Sequence, residues 1–149
     1  KKISYEVFAQ YQNDLRRGLD KRILGGVGLR FVLVDTEKTS LALGLGAMYE
    51  EEDWQHPKSD MPSESTQILK STNYMAFHTS LSETAKFGLI SYFQAGSGRS
   101  RLNVDSNLSF KITKNISFRT TFSAAYDAKP VVPVTQFIYK LTNGISLTF

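Results

Sequence analysis

The feature that most constrains this chain is a period of two in its apolar residues. From Leu102 to Ile112 the apolar row is Leu102, Val104, Leu108, Phe110 and Ile112, interrupted by Ser106, against Asn103, Asp105, Asn107, Ser109 and Lys111. The next segment sets Ile116, Phe118, Phe122, Ala124 and Tyr126 against Ser117, Arg119, Thr121, Ser123 and Asp127. The last sets Phe137, Tyr139, Leu141, Ile145, Leu147 and Phe149 against Gln136, Lys140, Thr142, Gly144, Ser146 and Thr148. Side chains alternate across a strand, so this pattern requires two-faced β-strands and excludes amphipathic helices. Five further segments fit, near 2–12, 21–34, 39–52, 70–81 and 86–95. In 86–95 the phase is open: Phe87, Leu89 and Phe93 compete with Ile90 and Tyr92.

Most segments are about ten residues or longer, the length a tilted strand needs to cross a bilayer. The connections alternate in length. Those near 35–38, 82–85 and 113–115 are short, and those near 13–20, 53–69 and 127–134 are longer. Gly96-Ser97-Gly98-Arg99 falls on the longer side. The 53–69 loop, with Asp53, His56, Pro57, Asp60 and Pro62, reads as a mobile surface loop. Short turns at one end and long loops at the other match bacterial outer-membrane barrels. The expectation is one all-β domain over 1–149, an antiparallel up-and-down transmembrane barrel with about eight strands in this chain.

A soluble lipocalin-like barrel alternates too, with its apolar face inward. Two features favour the membrane form. The apolar rows carry no charge between their ends. The polar rows are rich in small residues (Gly26, Gly28, Ala42, Gly44, Gly46, Thr72, Ala76, Ser109, Ser117 and Ser123), which suit a narrow interior. Tyr11, Tyr49 and Tyr126 are placed at the outer rim, and Phe31, Phe87, Phe110, Phe118 and Phe149 near the inner one, as interfacial girdles. The slightly negative mean hydropathy, −0.25, is compatible because only alternate residues meet lipid. Leu43, Leu45, Phe122 and Leu147 are expected to face hydrocarbon.

Composition excludes several classes. The 149 residues include no cysteine, so disulfides and thiolate metal sites are ruled out. A formal charge of +4 with scattered Lys and Arg gives no basic stripe for nucleic acid. There is no apolar run long enough for a membrane helix, and no signal peptide is visible. The chain enters a strand pattern at Lys1-Lys2-Ile3, which reads as processed or truncated.

Several motifs together resemble domain-of-unknown-function family 481, the salt-induced outer-membrane-protein type. They are Tyr5-Glu6-Val7-Phe8-Ala9-Gln10-Tyr11-Gln12, Gly25-Gly26-Val27-Gly28-Leu29-Arg30-Phe31, Gly44-Leu45-Gly46-Ala47-Met48-Tyr49-Glu50, Tyr92-Phe93-Gln94, Tyr126-Asp127-Ala128-Lys129-Pro130 and Thr142-Asn143-Gly144-Ile145-Ser146-Leu147-Thr148-Phe149. The resemblance covers nearly the whole chain. It implies an outer-membrane barrel with no established enzymatic role and supplies no catalytic residues. Proteins of that type usually carry further strands ahead of the segment matching residue 1. The chain is therefore expected to be either a whole small barrel or the C-terminal part of a larger one.

The polar rows place Glu6, Arg22, Arg30, Glu50, Asp105, Arg119 and Lys140 in the interior, with His78 nearby. Charges in a narrow interior must pair, because burying one alone is costly. A salt-bridged plug is favoured over a conduit, with Glu6 and Arg30 at matched height if the first hairpin turns near residues 17–18. His78 and Ser80 form a His-x-Ser pair resembling that of an outer-membrane lipid A deacylase. Their inner-end placement, and Glu83 lying in a turn, argue for a packed histidine instead. The run Glu50, Glu51, Glu52, Asp53 and His56 reads as a solvated loop base rather than a cation site. Gly25, Gly26 and Gly28 precede a strand, so the dinucleotide reading fails.

The alternation of Tyr139, Leu141, Ile145, Leu147 and the terminal Phe149 resembles the assembly signal of outer-membrane proteins. The expected partners are outer-membrane lipid, barrel-assembly machinery and other outer-membrane proteins, with no nucleic acid, metal or cofactor. The function expected is a non-enzymatic, structural or narrow-pore, porin-like role in the Gram-negative envelope, or a subunit of an envelope complex. The alternatives are a lipid-modifying hydrolase and a soluble lipocalin-like carrier.

Overall fold

The computed structural model describes residues 2–15, 18–55, 63–130 and 135–147. The described residues form one antiparallel sheet of eight strands: β1 (Lys2–Asp14), β2 (Leu19–Asp35), β3 (Thr39–Trp54), β4 (Glu64–Ser80), β5 (Ala85–Gly96), β6 (Arg99–Lys111), β7 (Ile116–Asp127) and β8 (Phe137–Leu147). Each strand pairs only with its neighbours in sequence. The expected all-β, up-and-down architecture is therefore observed. β1 and β8 are not paired with each other, so the described sheet is open at both edges.

Several boundaries lie beyond those read from the sequence. β3 continues to Trp54, β4 begins at Glu64 rather than near 70, and β6 begins at Arg99. The cause is chemical. Charged residues at strand ends read as loop, but here they continue the ladder: Glu52 pairs with Thr66 and Asp53 with Ser65. The connection expected on the longer side at 96–99 is a two-residue turn. Ser97 and Gly98 both have positive φ, 49° and 72°, as a type I′ hairpin demands. Pro57, Asp60, Pro62 and His56 lie outside the described residues, as do Thr148 and Phe149.

The sheet curls. Tyr74 on β4 reaches Glu6 on β1, and Arg101 on β6 reaches Glu52 on β3. Each pair lies three strands apart, roughly 14 Å along a sheet with strands about 4.8 Å apart. Side chains close that gap because the sheet bends towards the face carrying them. Glycine makes room on this concave face. A Cβ at Gly26 would meet the Phe8 ring, and one at Gly44 would overlap the Tyr74 ring.

Register settles the open phase of 86–95. Tyr74 pairs with Tyr92, Ala76 with Ile90 and His78 with Gly88, so Ile90 and Tyr92 join the concave face. Phe87, Leu89 and Phe93 are convex. The convex face carries Ile3, Val7, Leu29, Leu43, Leu45, Leu102, Phe122, Leu141, Ile145 and Leu147, on the strand parity opposite to the concave charges.

Burial is inverted relative to a water-soluble domain. Tyr5 and Val7 are 88% and 83% exposed on the convex side. The largest fully buried side chains are Met48, Glu50 and Glu52, all on the concave side. A sheet that exposes its aliphatic face and buries carboxylates is organised around a polar interior.

Candidate functional site

The concave face encloses a cavity of about 1290 Å³. Two polar clusters cross it. The larger lies at the end of the longer loops, where β3 ends and β4 and β6 begin. Glu50 and Glu52, two residues apart on β3, both point inward. Arg22 on β2 donates from Nε to Glu50 at 2.9 Å, lies 3.3 Å from Glu52, and donates from Nη1 to Gln12 at 3.1 Å. Lys70 on β4 pairs with Glu50. Arg101 on β6 holds both oxygens of Glu52, at 2.6 and 3.1 Å, lies 3.4 Å from Glu50, and donates to Asp127 on β7 at 2.7 Å. Trp54 Nε1 donates to Glu52 at 2.9 Å.

This network holds three anions, Glu50, Glu52 and Asp127, and three cations, Arg22, Lys70 and Arg101. It is balanced, and it has to be: Glu50, Glu52 and Lys70 side chains are only 1–2% exposed. Such burial is tolerable only when every charge is paired and hydrogen-bonded. At its margin, Thr66 Oγ1, Gln94 Oε1 and Arg99 Nη1 are buried without a partner among the described residues. Groups of this kind are ordinarily met by ordered water.

The smaller cluster sits further along the face. The Tyr74 hydroxyl donates to the Glu6 carboxylate, 2.8 Å from either oxygen. Arg30 Nη1 donates to the same hydroxyl at 3.4 Å and lies 3.9 Å from Glu6. Arg30 is opposite Ser4, and Glu6 opposite Gly28, so the two charges are offset by one step rather than level. Tyr74 bridges the offset by lying across Gly44. Its ring also meets that of Tyr92, with centroids 5.8 Å apart.

Of the interior residues expected from sequence, Arg22 and Glu50 enter the larger cluster, and Glu6 and Arg30 the smaller. His78, Asp105, Arg119 and Lys140 lie on the concave face by register, but have no ion pair among the described residues. His78 lies over Gly88, beside Asn107. Neither His78 nor Ser80 has a side-chain hydrogen bond among the described residues, so no carboxylate orients the histidine as a hydrolase would require. Glu83 lies in the turn between β4 and β5.

Sequence reasoning missed Glu52, Lys70, Arg101, Asp127, Trp54 and Tyr74 as members of these clusters. Parity was the available signal: Glu52 follows Glu50, Lys70 precedes Thr72, and Arg101 precedes Asn103, each by two residues. The acidic run Glu50-Glu51-Glu52-Asp53 is split by the same parity. Glu50 and Glu52 turn inward, whereas Glu51 meets Lys21 at 3.3 Å on the other face. The run cannot converge on one cation, and among the described residues no group of three or more His, Cys, Asp or Glu does so.

Along β8, Tyr139, Leu141, Ile145 and Leu147 share the convex face, opposite Ala124, Phe122, Phe118 and Ile116. Phe149, expected to complete that row, lies outside the described residues.

No curated protein and no solved structure matches the chain. A family model does match, over residues 1–143, and its description is protein of unknown function, DUF481. The chain, with its charge-lined concave face and apolar convex one, belongs to the DUF481 family.

Proposed function

We propose that the protein is a non-enzymatic β-barrel of the bacterial outer membrane, whose polar interior is sealed at the loop end by the Glu50–Glu52–Arg101 network. The observation that carries this reading is the inverted burial: aliphatic side chains exposed on the convex face, ionised ones buried on the concave face. In water a largely apolar surface of this extent would aggregate; against lipid it is the solvated surface. Strands of 11 to 17 residues meet or exceed the roughly 9–11 that a tilted strand needs to span hydrocarbon. Lys21, Glu51 and Asp53 stay at the loop end of the convex rows. Hydrocarbon tolerates no open edge, so β1 and β8 are paired in the membrane form, with each other or with further strands.

The soluble-carrier alternative requires the opposite arrangement, with an apolar interior. The hydrolase alternative requires an oriented His78. Between a pore and a structural barrel, the network favours the latter, because six side chains from β2, β3, β4, β6 and β7 fill the loop end.

The test combines location and facing. In cell envelopes the protein should resist carbonate extraction and migrate faster on gels when unheated. Spin labels at Leu45 and Ser123 should differ, with Leu45 reached by an apolar quencher and Ser123 shielded from it. Release by carbonate, or equal quenching at both positions, would overturn the reading.

A further inference from the structure

The convex face is not uniform. On β1, β2 and β3 the convex rows inside the aromatic rims are apolar or glycine: Val7, Leu29 and Leu45 are typical. On each of β5 to β8 one hydrogen-bonding residue interrupts the apolar row, Ser91, Ser106, Thr120 and Asn143 in turn; on β4 two do, Ser71 and Asn73, and Asn73 continues the line of the other four. Four have apolar convex neighbours on both sides, as with Leu89 and Phe93 around Ser91, or Val104 and Leu108 around Ser106; Asn73 lies between Met75 and Ser71.

Register shows that the five form one strip. Asn73 is opposite Phe93, and Ser91 is the next convex residue on that strand. Ser91 is opposite Val104, and Ser106 comes next. Ser106 is opposite Phe122, and Thr120 comes next. Thr120 is directly opposite Asn143 and donates to its Oδ1 at 2.9 Å. Diagonal neighbours of this kind lie roughly 7–8 Å apart, too far for Ser91 and Ser106 to satisfy each other. Neither serine makes a side-chain hydrogen bond among the described residues. Asn73 reaches only Ser71 and the Phe93 carbonyl, both at 3.5 Å.

This inference rests on the membrane reading above. Hydrocarbon offers no hydrogen bonds, so hydroxyls and amides inside the apolar band need a polar partner. Between membrane-spanning helices, hydroxyl and amide side chains of this kind hydrogen-bond across the interface. We propose that the convex face of β4–β8 is an interface with a second copy of this chain. The strip itself argues for that occupant. It carries no charge, so a charged partner would be unmatched. Every member is both donor and acceptor, so the strip complements itself, as a two-fold interface demands. The β1–β3 side offers lipid only apolar surface and remains outside the interface.

The chain has no cysteine, which makes the test direct. Single variants Ser106→Cys and Leu45→Cys are expressed in the full chain, and native envelopes are treated with a short bis-maleimide. Ser106→Cys should give a product of twice the chain mass and Leu45→Cys none. Replacing Ser91 and Ser106 with Leu, and Asn143 with Val, should abolish the pair in native gels while the unheated fast-migrating form persists. That form shows that the barrel itself still folds. Equal cross-linking at both positions, a product of another mass, or a pair that survives the apolar replacements would overturn the proposal. Failure of carbonate resistance in the parent would instead overturn the membrane reading, and the interface with it.

Discussion

Replacing Arg101 with Met removes the side chain that ties β3 to β6 and β7. The change takes two charge-assisted hydrogen bonds from Glu52, at 2.6 and 3.1 Å, and one from Asp127, at 2.7 Å. Glu52 is 1% exposed, so water does not replace them. Breaking a buried pair from one side costs about 3–5 kcal/mol. Glu52 keeps Arg22 at 3.3 Å and Trp54 at 2.9 Å, which places the expectation at the lower end, about 3 kcal/mol. That is more than about a hundredfold in the folding equilibrium. Trp54 is the only tryptophan and donates directly to Glu52, so its emission during reversible urea unfolding in micelles reads the site. Glu52→Gln removes the stranded charge. The double variant should therefore be more stable than the sum of the singles predicts, by more than about 1 kcal/mol. Additivity within about 0.5 kcal/mol would refute the pairing argument. So would an Arg101→Met loss no larger than that of Arg119→Ala, whose side chain is exposed on the same face and has no ion pair among the described residues.

Three further outcomes follow from the geometry. Tyr74→Phe removes the hydroxyl that joins Glu6 to Arg30 and should cost about 1–2 kcal/mol; the same change in a Glu6→Gln background should cost less, measured by urea midpoint. Gly44→Ala places a methyl in the Tyr74 ring and should destabilise by about 1–3 kcal/mol, an effect that Tyr74→Ala in the same chain should relieve. Leu45→Lys, on an already exposed residue, should cost about 2–4 kcal/mol in a bilayer and little in the unfolded reference, read from refolding yields into vesicles; a neutral result would mean that Leu45 does not meet hydrocarbon.

The strand count, the faces of seven strands and the polar character of the interior were legible in the sequence, because period two is a local signal that register must obey. Leu102 to Ile112 illustrates this: its alternation alone separates Val104 from Asp105. Residues 86–95 were not legible, since Phe87 and Tyr92 are both aromatic and only pairing of Tyr92 with Tyr74 decides between them. The centre of the larger cluster was hidden for a different reason. Lys70 opens the segment read as 70–81 and Arg101 precedes the one read as Leu102 to Ile112, positions where sequence reasoning expects solvent. Their burial depends on distant glutamates: Lys70 is 20 positions from Glu50, and Arg101 is 51 from Glu50 and 49 from Glu52. Tyr74 carries no sequence signal of its own; its role depends on Gly44 beside it and Glu6 three strands away.

The strictly sequential pairing of the strands has a consequence for how the protein is built. Every ladder joins neighbours in sequence, so each new strand can dock on the one just laid down, without threading or long-range search. The charges in the loop-end network arrive in the same order. Arg22, the two glutamates and Lys70 come with β2, β3 and β4, and those four already cancel. Arg101 comes with β6 and leaves one positive charge in excess until β7 delivers Asp127. An assembly intermediate stopped after four strands, or after seven, would thus be electrically neutral at its buried end, whereas one stopped at six would not. The buried end reaches charge balance with the fourth strand and regains it with the seventh.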